Sequence, residues 1–218
     1  YIGSYPILGE AASINAFALG AQMTNPRAQI ELKWACVEGF PQTELLADGI
    51  RIVSTQNASS ELNACSTNGT YLINDTGEMI PLGTHIWNWG KFYEYAIKEI
   101  LSGGMKKEKN SHMALNYWLG LDSGVIGMDI SARLPQGVRQ MANLLYVAVK
   151  RGYIDPFGRK IVAQDGSIKN DGTILFSPEQ ILRMDWLCEN VIGCIPVPGE
   201  ILPECYKVIQ EIGIYRDT

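Results

Sequence analysis

The chain has 218 residues, of which 46% are hydrophobic and 19% charged, with a net charge of −5 at pH 7. That suffices for one large or two small globular domains. The acidic balance argues against a nucleic-acid footprint, and no apolar run approaches the ~20 residues of a membrane-spanning helix.

The chain opens at Tyr1 rather than Met, on a strand-like stretch (residues 1–7) that runs into a turn. That opening reads as the second half of a larger α/β protein. Ile14, Phe17, Ala18 and Ala21 then recur at helical spacing, and Asn25-Pro26 closes the helix. Residues 30–37 alternate like a strand. Gly39-Phe40-Pro41 turns into a short helix with Leu45 and Leu46, Asp48-Gly49 breaks it, and residues 50–53 form a third strand. A small helix around residues 59–65 leads through Asn68-Gly69 to a fourth strand at residues 71–73. Strand–helix alternation of this kind predicts an α/β fold, a parallel sheet flanked by helices on both faces.

Ile86-Trp87-Asn88-Trp89-Gly90 precedes a helix striped by Phe92, Tyr93, Ala96, Ile97 and Ile100. Residues 117–121 read as extended. Pro135 starts a helix with Val138, Met141, Leu145 and Val149 on one face, ending at Gly152. Residues 159–163 and 167–175, around Asp165-Gly166, read as a hairpin or an irregular β excursion. Ser177-Pro178-Glu179-Gln180 starts a helix that carries Ile181, Met184, Leu187 and Cys188 inward. The tail from Ile195 wraps the surface before a last short helix over residues 206–212. Lys106-Lys107-Glu108-Lys109 reads as a solvated loop.

Chemistry of turnover is hard to assemble. There is no nucleophile elbow, phosphate loop or dinucleotide fingerprint. Only His85 and His112 are available as histidines, and Asp155 and Asp165 sit among turn residues. The cysteines (Cys36, Cys65, Cys188, Cys194 and Cys205) include no C-x₂-C pair, so no metal site and no cofactor are expected. Buried thiols are the simple reading, and Cys188 with Cys194 is the best-spaced pair for a disulfide.

A binding site is easier to see. In open α/β sheets ligands sit beyond the carboxyl ends of the strands. Those ends carry Tyr5, Phe40, Gln56, Asn57 and, after Asn74, Asp75, with Trp87 and Trp89 flanking the same edge. Aromatics stack on rings, amides read ring edges and a carboxylate accepts ribose hydroxyls. The same residues also serve as turn or packing residues, Asn74-Asp75 above all.

Several blocks together resemble the basic membrane protein family, the PnrA-like substrate-binding lipoproteins of ABC transporters. They are Tyr1-Ile2-Gly3-Ser4-Tyr5-Pro6-Ile7, Ile14-Asn15-Ala16-Phe17 with Leu19-Gly20-Ala21, Asn25-Pro26, Ile86-Trp87-Asn88-Trp89-Gly90 with Tyr93, Asp165-Gly166 followed by Ser177-Pro178-Glu179-Gln180-Ile181-Leu182, and Met184-Asp185-Trp186 before Val191 and Gly193. The resemblance implies residues 1–193 as the C-terminal lobe of a type I periplasmic-binding-protein fold, some segments after residue 80 belonging with a missing N-terminal lobe, and residues 194–218 as the tail. It implies a purine nucleoside or related ring compound as ligand, an ABC permease as partner, no catalysis, and an extracytoplasmic protein anchored by a lipid on the missing N-terminus.

Phe40 resembles the family's base-stacking aromatic, and Gln56-Asn57 occupies the place of a polar segment after the third strand. The family's acid aligns with Thr76, which makes Asp75 a displaced candidate. Trp87 stands where purine-nucleoside binders carry a Lys. A lone lobe holds half a site and is expected to bind nucleosides weakly or not at all. The alternative is a ligand-sensing domain of an intracellular regulator with the same fold, to which thiols without disulfide spacing are suited. The residues preceding Tyr1 distinguish the two: a lipobox cysteine or an effector domain.

Overall fold

A computed structural model describes residues 1–39, 49–56, 68–103 and 118–214. The chain divides into two units. Unit 1 comprises residues 1–82 and 155–218, and unit 2 residues 83–154.

Unit 1 begins with β1 (Ile2–Gly3) and α1 (Glu10–Thr24). The helix buries Ala11, Ile14, Asn15, Ala18 and Leu19, the three- and four-residue spacing of one face. It stops at Asn25, whose extended backbone is what a following proline imposes. Residues 30–36 obey a two-residue period, with Ile30, Leu32, Trp34 and Cys36 all buried. The stretch forms two short strands, β2 (Ile30–Glu31) and β3 (Lys33–Trp34), which serve different neighbours. The Ile30 and Leu32 N–H groups donate to Asn190 O and Ile192 O, in parallel register with β10 (Val191–Ile192). The Lys33 and Ala35 N–H groups donate to Tyr1 O and Gly3 O, in parallel register with β1. The expected parallel pairing is therefore present, with residues 30–35 between two partners.

The next strands differ from expectation in direction. β4 (Ile52–Thr55) and β5 (Gly69–Ile73) are antiparallel, with Ile52 opposite Leu72 and Thr55 opposite Gly69. The Asn74 carboxamide drives the return. Its Oδ1 accepts from the Thr76 and Glu78 N–H groups and the Thr76 hydroxyl, while Gly77 takes a φ of 82°. The chain leaves this turn as β6 (Met79–Trp87), next to β5 in a mixed α/β arrangement. β6 runs out of unit 1 and pairs with β7 (Ile126–Ile130) of unit 2 in antiparallel register. An antiparallel sheet tolerates one wet face, in keeping with the half-exposed pattern along β6.

Unit 2 also holds α2 (Trp89–Leu101) and α3 (Gln136–Lys150). Both carry the expected apolar stripes, yet neither contains a buried residue. Tyr93, Ile97, Ile100 and Leu101 on one, and Val138, Met141 and Leu144 on the other, are exposed. Of the stretch read as extended before β7, residue 117 lies outside the described residues, residues 118–120 belong to no strand, and Leu121 opens a turn closed by the Gly124 N–H to Leu121 O.

Back in unit 1, β8 (Lys160–Val162) and β9 (Ile168–Asp171) form the expected hairpin. α4 (Pro178–Leu182) starts as read, with a complete capping box. Gln180 N–H donates to Ser177 Oγ at 3.2 Å, and Ser177 N–H to Gln180 Oε1 at 2.8 Å. Replacing Ser177 by Ala removes one of these bonds, and the unfolding free energy is expected to fall by about 1 kcal/mol in a urea titration.

The helix is shorter than its apolar spacing suggests. Met184, Leu187 and Cys188 are buried, but from an extended segment whose Glu189 N–H donates to Val162 O while Leu187 O accepts from Gln164 N–H. Those bonds to the hairpin replace a further helical turn. The C-terminal stretch is tied down as well: Val37 bridges Ile201, Ile7 bridges Gly213, and α5 (Tyr206–Ile212) follows two 3₁₀ turns, Pro198–Glu200 and Pro203–Cys205. Ile201 and Cys205 lie in the main core with Ile14, Leu32, Trp34, Ile161 and Leu187. A smaller cluster joins Ile2, Ala35, Val53 and Ile73.

Candidate functional site

The residues chosen from the sequence fall in different places. Phe40 and Asn57 lie outside the described residues. Tyr5, half-buried, follows β1 and packs partly against the main core of unit 1. Gln56, also half-buried, follows β4. The expected convergence of Gln56 and Asp75 at one sheet edge does not occur. Because β4 and β5 are antiparallel, the end of β4 lies beside the start of β5, and the turn after β5 lies at the opposite end. There the Asp75 carboxylate meets the Arg51 guanidinium at 2.7 Å, an exposed pair worth little in water.

Trp87 belongs to unit 2 and is the most developed of the candidates. At the end of β6 its ring stacks on Trp89, with centroids 5.6 Å apart and planes 17° from parallel. His85, two residues earlier on the same face of the strand, meets Trp87 edge-on at 6.2 Å. Trp89 continues the row to Phe92 and Tyr93 at 5.9 and 6.5 Å. Trp87, Trp89 and Tyr93 remain 46%, 54% and 59% exposed. A row of exposed, mutually stacked rings offers flat apolar faces to another ring, while its indole N–H groups supply donors.

Asn88 fixes this row. Its N–H donates to Val125 O at 2.7 Å, its Nδ2 donates to Gly124 O at 2.9 Å, and its carbonyl accepts from the Lys91 N–H. The corner between strand and helix is thus bolted to the segment entering β7, and the two tryptophans on either side of Asn88 are held with it. Sequence reading singled out Trp87 and missed the contributions of His85 and Tyr93. Their signal was available: a two-residue period along the strand, then a four-residue step on the helix.

Three acids of unit 1 hold turns. Asp165 Oδ1 accepts from the Ser167 N–H and hydroxyl, and Asp171 Oδ1 does the same with Thr173. These hydrogen bonds hold both carboxyls below the usual range. Asp155 Oδ1 accepts from the Phe157 N–H. All three are turn acids, and no group of three His, Cys, Asp or Glu among the described residues is placed to hold a metal. A surface depression of about 420 Å³ in unit 1 is lined by Phe176, Met184 and Trp186 with Arg183, Glu179, Gln180 and Ser177. It includes none of the residues chosen from the sequence, and Arg183 and Glu179 pair across it at 3.4 Å. Cys36, Cys188 and Cys205 are buried thiols, the simple reading of the sequence, while Cys194 is an exposed one.

No protein-family model matches the chain. It is 27% identical over 180 residues to a purine-binding protein of Brucella abortus, a match covering 77% of this chain and 49% of that protein. It is 26% identical over 145 residues to a putative ABC transporter glucose-binding protein, TsgA13, of Haloferax volcanii, covering 59% of this chain and 34% of the relative. The chain is therefore similar to substrate-binding proteins, and it spans about half the length or less of the curated relatives it matches. No helix among the described residues is long and apolar enough to cross a membrane.

Proposed function

We propose that the chain is the ligand-binding part of an ABC-transporter solute receptor that takes a purine nucleoside or related ring compound. In this reading the protein works outside the cytoplasm, held by a lipid on a preceding segment, and delivers its ligand unchanged to a membrane permease. The observation that carries the reading is the exposed Trp87–Trp89 stack, held rigid through Asn88. Similarity to proteins named for binding a purine and glucose supports a ring ligand. Trp87 in place of a lysine favours a neutral ring over an anionic one.

In unit 2 the proposed ligand-facing residues are Trp87 and its neighbour Trp89. Unit 1, taken by itself, keeps Tyr5 and Gln56 as proposed ligand-facing residues, and Phe40 and Asn57 are proposed on the sequence alone. Asp75 stays outside this set because its carboxylate faces Arg51 at the other end of β4 and β5.

The exposed apolar faces of α2 and α3 support the two-lobe part of the proposal. Amphipathic helices of this kind gain most of their stability by covering a core, and large exposed apolar patches mark interaction surfaces. We assign these faces to packing against further sequence of the full-length protein.

Calorimetric titration of the full-length protein with inosine, adenosine and glucose tests the reading. Saturable binding of a nucleoside is expected, with affinity about tenfold or more weaker in Trp87→Ala, since stacking on one aromatic is worth about 1–3 kcal/mol. Absence of heat with all three compounds, or a Trp87→Ala variant with unchanged affinity, would refute it.

A further inference from the structure

Unit 1 buries three thiols in one cluster, Cys36, Cys188 and Cys205, and the backbone draws the first and the last together. Cys36, just past β3, and Cys205, at the end of the second 3₁₀ turn, are 0% and 1% exposed and belong to a single apolar cluster. The backbone around them is stitched together. Val37 and Ile201 form an antiparallel bridge, the Leu202 N–H donates to Cys36 O at 2.8 Å, and the Cys205 N–H donates to Leu202 O at 2.9 Å. Cys205 thus stands one tight turn from a hydrogen bond made to Cys36 itself, although most of the chain separates the two in sequence. The groups also sense one another. Burial, and after it the neighbouring Cys205, push the Cys36 thiol up to about 12, and the buried Glu10 carboxyl adds to the effect.

We propose that Cys36 and Cys205 are partners in a structural disulfide that fastens the C-terminal segment to the end of β3. The bond forms during folding by thiol–disulfide exchange with a small external disulfide. One thiolate attacks that disulfide and releases one small thiol; the second thiolate displaces the mixed disulfide and releases another. One S–S bond breaks and one forms, the two electrons pass to the external disulfide, and the two protons leave on the released thiols. Timing matters. Burial holds the Cys36 thiol well above its ordinary range once the tail has docked, which disfavours the thiolate, so the native dithiol oxidises slowly.

The pairing differs from the one that sequence spacing favours. Cys188 shares the cluster, but its segment is tied to α1 and to the hairpin, its own N–H donating to Asn15 Oδ1 and the Glu189 N–H to Val162 O, and Cys194 is exposed. A bond closing so long a loop constrains the unfolded chain strongly.

The test refolds the full-length protein from denaturant at pH 8 in mixed oxidised and reduced glutathione, blocks thiols with iodoacetamide and maps peptides without reduction. The expected map links the Cys36 peptide to the Cys205 peptide and finds Cys194 alkylated. The thermal midpoint should lie about 5–10 °C above that of dithiothreitol-treated protein. This oxidant-dependent difference should vanish in Cys36→Ala, in Cys205→Ala and in the double variant alike. Alkylation of both Cys36 and Cys205, linkage of either to another cysteine, or a difference that survives in the double variant overturns the proposal. If the alanine variants do not fold, the wild-type peptide map decides alone.

Discussion

Asn15→Leu is expected to lower the unfolding free energy by about 3 kcal/mol or more, although leucine is close to asparagine in size and the site is apolar all round. Asn15 lies on the buried face of α1 with no exposure at all. Its Nδ2 donates to Trp186 O at 2.8 Å, and its Oδ1 accepts from the Cys188 N–H at 2.8 Å. One carboxamide therefore serves both an acceptor and a donor of an extended segment that has no continuous ladder there. Leucine leaves both main-chain groups buried without a partner, each costing about 1–3 kcal/mol, and adds little packing in return. Asn15→Asp separates the two bonds. A protonated aspartic acid both donates to Trp186 O and accepts from Cys188, whereas the ionised form loses the donor and buries a charge. Burial raises the folded-state carboxyl above its unfolded value, so stability is retained at low pH and lost as pH rises through the folded pKa. Urea unfolding of both variants between pH 4 and pH 8 checks the sign; an Asn15→Leu variant within 1 kcal/mol of wild type would contradict the account.

Gly3→Ala should cost about 2–4 kcal/mol for the addition of one methyl group. A Cβ at Gly3 would stand 2.6 Å from Trp34 Cε3 and 2.7 Å from Cζ3. The indole cannot swing aside freely, because it is 7% exposed and its Nε1–H donates to Cys194 O at 2.8 Å. Nor can β1 retreat, since Gly3 O accepts from the Ala35 N–H in the parallel ladder. The clash is with one side chain, which makes the explanation separable from strand propensity. In a double-mutant cycle, Gly3→Ala should cost less in a Trp34→Leu background than in wild type, by about 1 kcal/mol or more. Equal costs in both backgrounds would place the effect elsewhere.

Much of unit 1 was legible in the sequence, for reasons that these two sites illustrate. Local chemistry spoke clearly at α1, at the Ser177 capping box and at the Asp165-Gly166 hairpin, where residue type sets backbone geometry within a few positions. Direction in the sheet was not local. Nothing in residues 50–55 or 69–73 states whether two short strands run together or opposed, even though Val53 and Ile73 are inward-facing residues of each. The antiparallel answer then separated Gln56 from Asp75, so the convergence expected at one sheet edge was lost with the expected direction. The helix after Ser177 was overestimated in the same way. Ile181, Met184, Leu187 and Cys188 have helical spacing, but Gln164, Val162 and Asn15 compete for that backbone from distant positions. At the aromatic row, the Trp-Asn-Trp-Gly block made Trp87 prominent from the outset. The structural role of Asn88, which lies in its bonds to Gly124 and Val125, emerges only once β6 and β7 are paired.

The stretch from Ile30 to Ala35 has a consequence for how the polypeptide is made. On one side it is bonded to β1, which leaves the ribosome before it, and on the other to β10, which emerges long after. All of unit 2 is translated in between. A nascent chain stalled after residue 154 would hold α1 and residues 30–35 with one flank open, lacking Val191, Ile192 and the backbone groups that Asn15 serves. Unit 1 therefore completes itself only after translation has passed β10 and the segment that follows it. Until then its half-made sheet presents an unpaired edge to chaperones and to other chains.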